Sequence, residues 1–336
     1  MSLFNAHNST SHGLRLYAHG TAQVSHWRVP GVLQYLAWCN LLVPALLILA
    51  ARGGPPADPT TTTEAPPHLL GRARLWSQRL TRLLFPAAWW EPCAALLLPT
   101  LHLALAYLIR APGCPRGYVG PGGAYVDGGR LANCTGGAHG YLDRLLFSSR
   151  HLLQDPPCRA VYGVPGPFDP ESAVGSLNAA FLFYVGALAG RVLLAPAWRP
   201  RDPRRALSWL ALAAPCVLLA AILGGSGAVP VNKSLWSLSF VLAAAAVALA
   251  ALAACHLLCD AFQVWPSGPP CAAVGRNALL VYVGHELLQD YFPFSFKLPA
   301  SLENTHGGAL LEDTVGVLVW LGIGALLHWR RVYIKV

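Results

Sequence analysis

Twenty-five consecutive residues, SLWSLSFVLAAAAVALAALAACHLL from Ser234 to Leu258, contain no Asp, Glu, Lys or Arg. Such a run constrains a fold more than any other feature of this chain. A helix rises about 1.5 Å per residue, so roughly 20 apolar residues cross a hydrocarbon core about 30 Å thick. Inside lipid a backbone must satisfy its own hydrogen bonds, which leaves helices as the economical solution for isolated apolar runs. Comparable segments lie at approximately 30–51, 86–109, 172–195, 206–223, 235–258, 272–292 and 314–330. The spacing predicts an all-α polytopic membrane protein of about seven transmembrane helices. Composition agrees: 12% of the 336 residues are charged, half the roughly 25% of soluble domains. That excludes an ordinary soluble enzyme, a disordered chain and a coiled coil.

The few charges give an orientation. The formal net charge is +9, and Lys occurs only at Lys233, Lys297 and Lys335. Arginines gather in 52–85 (Arg52, Arg72, Arg74, Arg79, Arg82), in the link WRPRDPRR (Arg199, Arg201, Arg204, Arg205) and at the C-terminus (Arg330, Arg331). With seven alternating spans these segments share one side, which the positive-inside bias places in the cytosol. The arginines interrupt apolar blocks rather than forming a stripe with aromatics, so a membrane partner is expected and nucleic acid is not. Residues 1–29 contain no apolar run and are neither signal peptide nor span. They read as an atypical N-terminal segment before a transmembrane domain at 30–336, and the chain is expected to be part of something longer. PPADPTTTTEAPPH, within 52–70, reads as a disordered cytosolic linker.

On the opposite, lumenal side the long loop 110–171 is dense in glycine and turn formers. Cys114 and Cys134 bracket its Gly-rich part and are expected to pair in an oxidising compartment. Asn133-Cys134-Thr135 satisfies the N-glycosylation pattern, which makes Asn133 the candidate acceptor. Asn232-Lys233-Ser234 lies close to the next span and is a poorer one. The remaining cysteines lack paired metal-ligand spacing, so no metal site is expected.

Ionisable groups within spans are costly and point to function. The segment GRNALLVYVGHELLQDYFPF places Asn277 and His285 two helical turns apart on one face, with Glu286 adjacent and Asp290 one turn further. Histidine ordinarily titrates near 6.5, so His285 beside Glu286 suits a general base; the same pair would also serve as polar glue between helices. Arg28, at the mouth of the first span, suits either an anionic group or the bilayer interface. Asp169 and Glu171, just before the third span, suit an amino sugar or a helix start. Arg191 reads as a snorkelling interfacial charge. His102 and His256, solitary in apolar runs, read as satisfied core histidines.

RVPGVLQYL, CPRGYVGPGG…NCTGGAHGYLDRLL, FDPE, VPVNKSLWSLSFV and GRNALLVYVGHELLQDYFPFSFKL, in this order, resemble the heparan-alpha-glucosaminide N-acetyltransferase family over about residues 26–336. The likeness is to its C-terminal, seven-span part. It implies a multi-pass lysosomal membrane protein that moves acetyl from cytosolic acetyl-CoA to the terminal glucosamine of heparan sulfate, and a homodimer. Set beside it, the candidates read from the residues are Asn277 and Arg28 for cofactor contacts, Asp169 and Glu171 for sugar contacts, and His285 and Glu286 for supporting proton transfer. The family's catalytic histidine lies upstream of RVPGVLQ, and the role transfers to none of His7, His12, His19 and His26. Two other readings follow: a non-catalytic variant without that histidine, and a transporter, since intramembrane polar groups also line solute paths.

Overall fold

A computed structural model describes residues 28–53, 76, 78, 90–195, 201–266, 268, 270–288, 291–299 and 305–334. The 52–70 linker after Gly53, the histidines before Arg28 and Asp290 lie outside the described residues. The helices are α1 Val32–Gly53, α2 Trp90–Leu108, α3 Ala138–Phe147, α4 Cys158–Tyr162, α5 Ala173–Leu194, α6 Arg204–Gly225, α7 Leu238–Cys255, α8 Cys271–Gly275, α9 Ala278–Leu288 and α10 His306–Trp329. Among the described residues there is no strand, and six helices are long and apolar enough to cross a membrane: α1, α2, α5, α6, α7 with its continuation to Ala261, and α10.

The expected span at 272–292 takes a different form. It is two short helices, α8 and α9, separated at Arg276–Asn277. Asn277 is fully buried, and its amide is spent on the C-terminal strip: Nδ2 donates to the Val332 carbonyl (3.1 Å) and Oδ1 accepts from the Ile334 N–H (2.9 Å). A polar side chain with backbone partners here takes over from the helical ladder, so the segment breaks where the sequence carries its polar pair. α10 starts eight residues before the expected boundary, because Thr305 caps it by accepting from the Gly308 N–H at 3.1 Å.

The chain divides into two compact units, described residues 28–256 and 257–334. In the first, Cys39 and Val43 of α1, Ala95 of α2, and Ala179, Ala180 and Tyr184 of α5 form a buried core. Small residues there let backbones approach, as expected where lipid supplies little drive for helices to associate. α6 and α7 pack as a hairpin across the turn 226–237. Leu33, Trp38, Leu41, Leu97, Leu194 and Leu218 are exposed on these helices, the pattern of surfaces that face hydrocarbon.

One end of this unit is held by charge. Glu91, fully buried, accepts from Tyr184 Oη (3.1 Å) and pairs with Arg191 (2.7 Å). Arg191 is therefore an internal ion-pair partner rather than a free snorkelling charge. Trp209 Nε1 donates to the Ala189 carbonyl at the same end (3.0 Å). His256 hydrogen-bonds the Asp202 carbonyl (3.1 Å) and stands edge-on to Trp209, as a satisfied core histidine would.

Candidate functional site

The other end of the first unit gathers the start of α1, the end of α2, the long loop, and the starts of α5 and α7. The loop is made rigid by close backbone approaches. A Cβ at Gly137 (φ 52°) would lie 1.8 Å from the Tyr118 carbonyl, and one at Gly123 (φ 92°) would lie 2.0 Å from the Tyr162 carbonyl. Only glycine fits such positions. The Cys114–Cys134 disulfide (Cα–Cα 5.7 Å) closes the same region, and Tyr118, Leu131 and Tyr141 pack against it.

The turn at Gly136–Gly137 delivers α3 onto the N-terminus of α5. His139 and Asp143, one turn apart on α3, face inward and are 1% and 0% exposed. Asp143 Oδ1 accepts from the Ala173 N–H (3.0 Å), while Ser172 Oγ caps α5 by accepting from the Gly175 N–H (2.8 Å) and meets His139 Nδ1 (3.2 Å). Carboxylates and hydroxyls collect here because a helix N-terminus presents unpaired N–H groups and partial positive charge. His102 of α2 lies edge-on to His139, ring centroids 5.0 Å apart, and its Nε2 donates to the Leu235 carbonyl (3.2 Å). Asn178 Nδ2 donates to the Trp236 carbonyl (2.7 Å).

Among the described residues, four buried polar atoms of this cluster have no hydrogen-bond partner: His102 Nδ1, His139 Nε2, Asp143 Oδ2 and Asn178 Oδ1. Buried polar groups left unpaired cost about 1–3 kcal/mol each, so their concentration makes this end the candidate site. The two histidines line a cavity of about 10 Å³ with Tyr107, Asn232 and Ser237, about the size of one water. Burial, then the proximity of His102, pushes His139 down to about 3. Burial pushes the Asp143 carboxyl up to about 7, opposed by its bond from Ala173 and reinforced by Asp169. Both side chains are therefore uncharged in mild acid.

Three residues proposed from sequence come together at the rim. Arg28 donates from Nε and Nη2 to the two oxygens of Asp169 (2.7 and 2.6 Å) and also pairs with Glu171. Asp169, fully buried, accepts further from the Leu153 and Glu171 N–H groups (3.2 and 3.1 Å). Burial opposes the charge of Arg28, but the Asp169 and Glu171 carboxylates outweigh it and raise its pKa. The Val29 N–H donates to the His151 carbonyl (2.9 Å), which secures the chain entering α1. Asn133 is exposed next to the disulfide, whereas Asn232 uses its side-chain oxygen to accept from the Ser234 N–H (2.9 Å).

Asn277 and His285 belong to the second unit. Asn277 serves the C-terminal strip as described, and His285 is exposed on α9; the side chain of Glu286 lies outside the described residues. His139, Asp143, Ser172 and Asn178 were not singled out from sequence. The i, i+4 pair of His139 and Asp143 after a double glycine is the signal that points to them. His102 is only half satisfied, since among the described residues Nδ1 has no partner, so it does not read as an ordinary core histidine.

No protein-family profile matches the chain. Human heparan-alpha-glucosaminide N-acetyltransferase is 34% identical to it over 311 residues, and the mouse protein of the same name is 33% identical over 315. Each match covers 92% of this chain and 44% of the relative, so the chain spans less than half the length of the curated relatives it matches.

Proposed function

We propose that this chain, similar across nearly its whole length to heparan-alpha-glucosaminide N-acetyltransferases, takes part in moving an acetyl group across a lysosomal membrane. The donor is acetyl-CoA on the arginine-rich side. The acceptor is the amine of a terminal glucosamine of heparan sulfate on the side of the long loop. The observation that carries this reading is the 34% identity sustained over 311 residues. A cluster of buried polar groups at the loop end of a membrane bundle supports it.

Coenzyme A is too highly charged to cross lipid unaided, so a transfer of this kind needs a polar path through the bundle. The reaction forms a C–N bond and breaks the thioester C–S bond. One proton leaves the amine, and the departing thiolate takes one up. The amine attacks only when neutral, while an acidic lumen holds it as ammonium, so a proton acceptor is required. His285 and Glu286 are the supporting candidates for that step. At the rim, two carboxylates, Asp169 and Glu171, face one guanidinium, Arg28. That excess of negative charge suits the ammonium of the incoming sugar.

The alternative reading is that the chain folds and binds without turning over. Both are tested by incubating the purified chain in proteoliposomes with radiolabelled acetyl-CoA and glucosamine acceptor. Transfer above background supports the first reading. His285→Ala is then expected to lower kcat by about 100-fold, the usual weight of a general base. An unchanged rate removes His285 from the chemistry, and background transfer by the unsubstituted chain supports the second reading.

A further inference from the structure

α3 has a second face. Opposite His139 and Asp143, it borders a groove of about 370 Å³ lined by Asn133, Thr135, Tyr141, Arg144, Pro165 and Pro167. Arg144 is half-buried, and among the described residues no hydrogen bond or ion pair of its guanidinium is found. Its Nη1 lies over Gly140, 3.3 Å from where a Cβ would stand. Burial lowers its pKa from the ordinary arginine value, although Asp143 acts in the other direction. Thr135, 5% exposed, also lines the groove, and among the described residues its Oγ1 has no partner. A half-buried cation without a partner in a concave site is costly unless a ligand completes it.

We propose that this groove binds an anionic saccharide, with Arg144 taking the carboxylate or sulfate of a sugar unit next to the acceptor amine. The inference deepens the acetyltransferase reading and rests on it for the identity of the chain being gripped. Arg144 offers a planar fork that matches both anions bidentately. The Tyr141 ring supplies an apolar body with a polar tip for a sugar face, and it is braced by the Cys114–Cys134 disulfide. Pro165 and Pro167 fix the backbone of the facing wall. The site is thus preorganised, which reduces the cost of ordering on binding. α3 joins the two sites: its inner face carries His139, and its outer face carries Arg144 one turn on.

The test is direct binding at about pH 5.5 to the purified full chain in detergent. The probes are a sulfated disaccharide of terminal glucosamine linked to a uronic acid, its desulfated counterpart, and neutral diacetylchitobiose. Saturable binding of the sulfated disaccharide is expected, weakened about tenfold by Arg144→Gln, the scale of one charge-assisted hydrogen bond. Arg144→Lys, which keeps the charge and loses the fork, is expected to fall between the two. Retained binding of the desulfated sugar identifies the carboxylate as the contact, and its loss identifies the sulfate; either supports the proposal. Equal affinity of the unsubstituted chain and both Arg144 variants overturns it, as does chitobiose binding as tightly as the charged sugar. Binding that emerges only after Asn133→Gln also overturns it, because the chain's own glycan then fills the groove. Transfer without disaccharide binding sinks the groove alone, whereas binding without transfer leaves it standing and sinks the acetyltransferase reading.

Discussion

His139 and Asp143 titrate in opposite senses, and that opposition has a measurable consequence. Asp143 is held up to about 7. Between about pH 4 and 7 the folded chain therefore keeps a proton that an unfolded carboxyl has lost, and this share of stability fades as pH rises. His139 is held down to about 3. From about pH 3 to 6.5 the unfolded chain holds a proton that the folded one lacks, so this share fades as pH falls. Across about pH 4 to 6.5 the two slopes oppose each other, which favours steady stability in an acidic compartment. Denaturation of the purified chain is expected to show little slope there from this pair. Asp143→Asn should make stability rise with pH, and His139→Gln should make it fall, each by at most about 1.4 kcal/mol per unit. Equal slopes in all three proteins would remove the pair as their source. At the rim, Arg28→Ala leaves the fully buried Asp169 carboxylate with backbone donors only. The Arg28 side chain is 37% exposed, so the expected loss is about 1–3 kcal/mol, below that of a wholly buried pair. A thermal shift of the Arg28→Ala chain reads it, and an unaltered midpoint would mean that water replaces the guanidinium.

Helices were legible in proportion to how far hydropathy alone decides them. α5 and α7 fall within three residues of their expected ends because a long uncharged run leaves a membrane segment one solution. The segment at 272–292 was not legible, since its break depends on Asn277 finding backbone partners at Val332 and Ile334, more than fifty residues away. The site followed the same rule. Arg28, Asp169 and Glu171 stood out as isolated charges, yet their pairing spans about 140 residues and no local pattern encodes it. Helix contacts in the second unit are similarly specific. A Cβ at Gly324 of α10 would lie 2.7 Å from Val274 Cγ2 and 3.0 Å from its Cα in α8, whereas Gly322, half a turn earlier, meets nothing within 4 Å. Gly324→Ala is therefore expected to cost about 1–3 kcal/mol through overpacking. Gly322→Ala should be neutral or gain up to about 1 kcal/mol from helix propensity. Limited proteolysis of the two variants in detergent separates them, and equal protection would show that α8 and α10 yield without penalty.

Beyond single helices, the distribution of arginines in the first unit and the course of its helices make one topological statement. In the first unit the starts of α1, α5 and α7 and the ends of α2 and α6 meet at the long loop, through Arg28–Asp169, His102–Leu235, Asn178–Trp236 and Tyr107–Ala228. The Glu91–Arg191 pair closes the opposite end. That alternation is the one expected if the loop lies in a lumen and the arginine-rich links in the cytosol. The two glycosylation patterns then become reporters of unequal quality. Asn133 is exposed, whereas Asn232 spends its side chain on the Ser234 N–H beside α7. Expressed in cells, the chain is expected to carry one glycan, removed by endoglycosidase and by Asn133→Gln but not by Asn232→Gln. Cys271 is exposed at the start of α8, and the orientation expected from the arginines puts it on the cytosolic side. In a variant retaining Cys271, Cys114 and Cys134, an impermeant maleimide should label the chain only from the cytosolic face. A glycan at Asn133 together with Cys271 labelling from the lumenal face would require an even number of crossings between them. One of α5, α6 and α7 would then fail to cross.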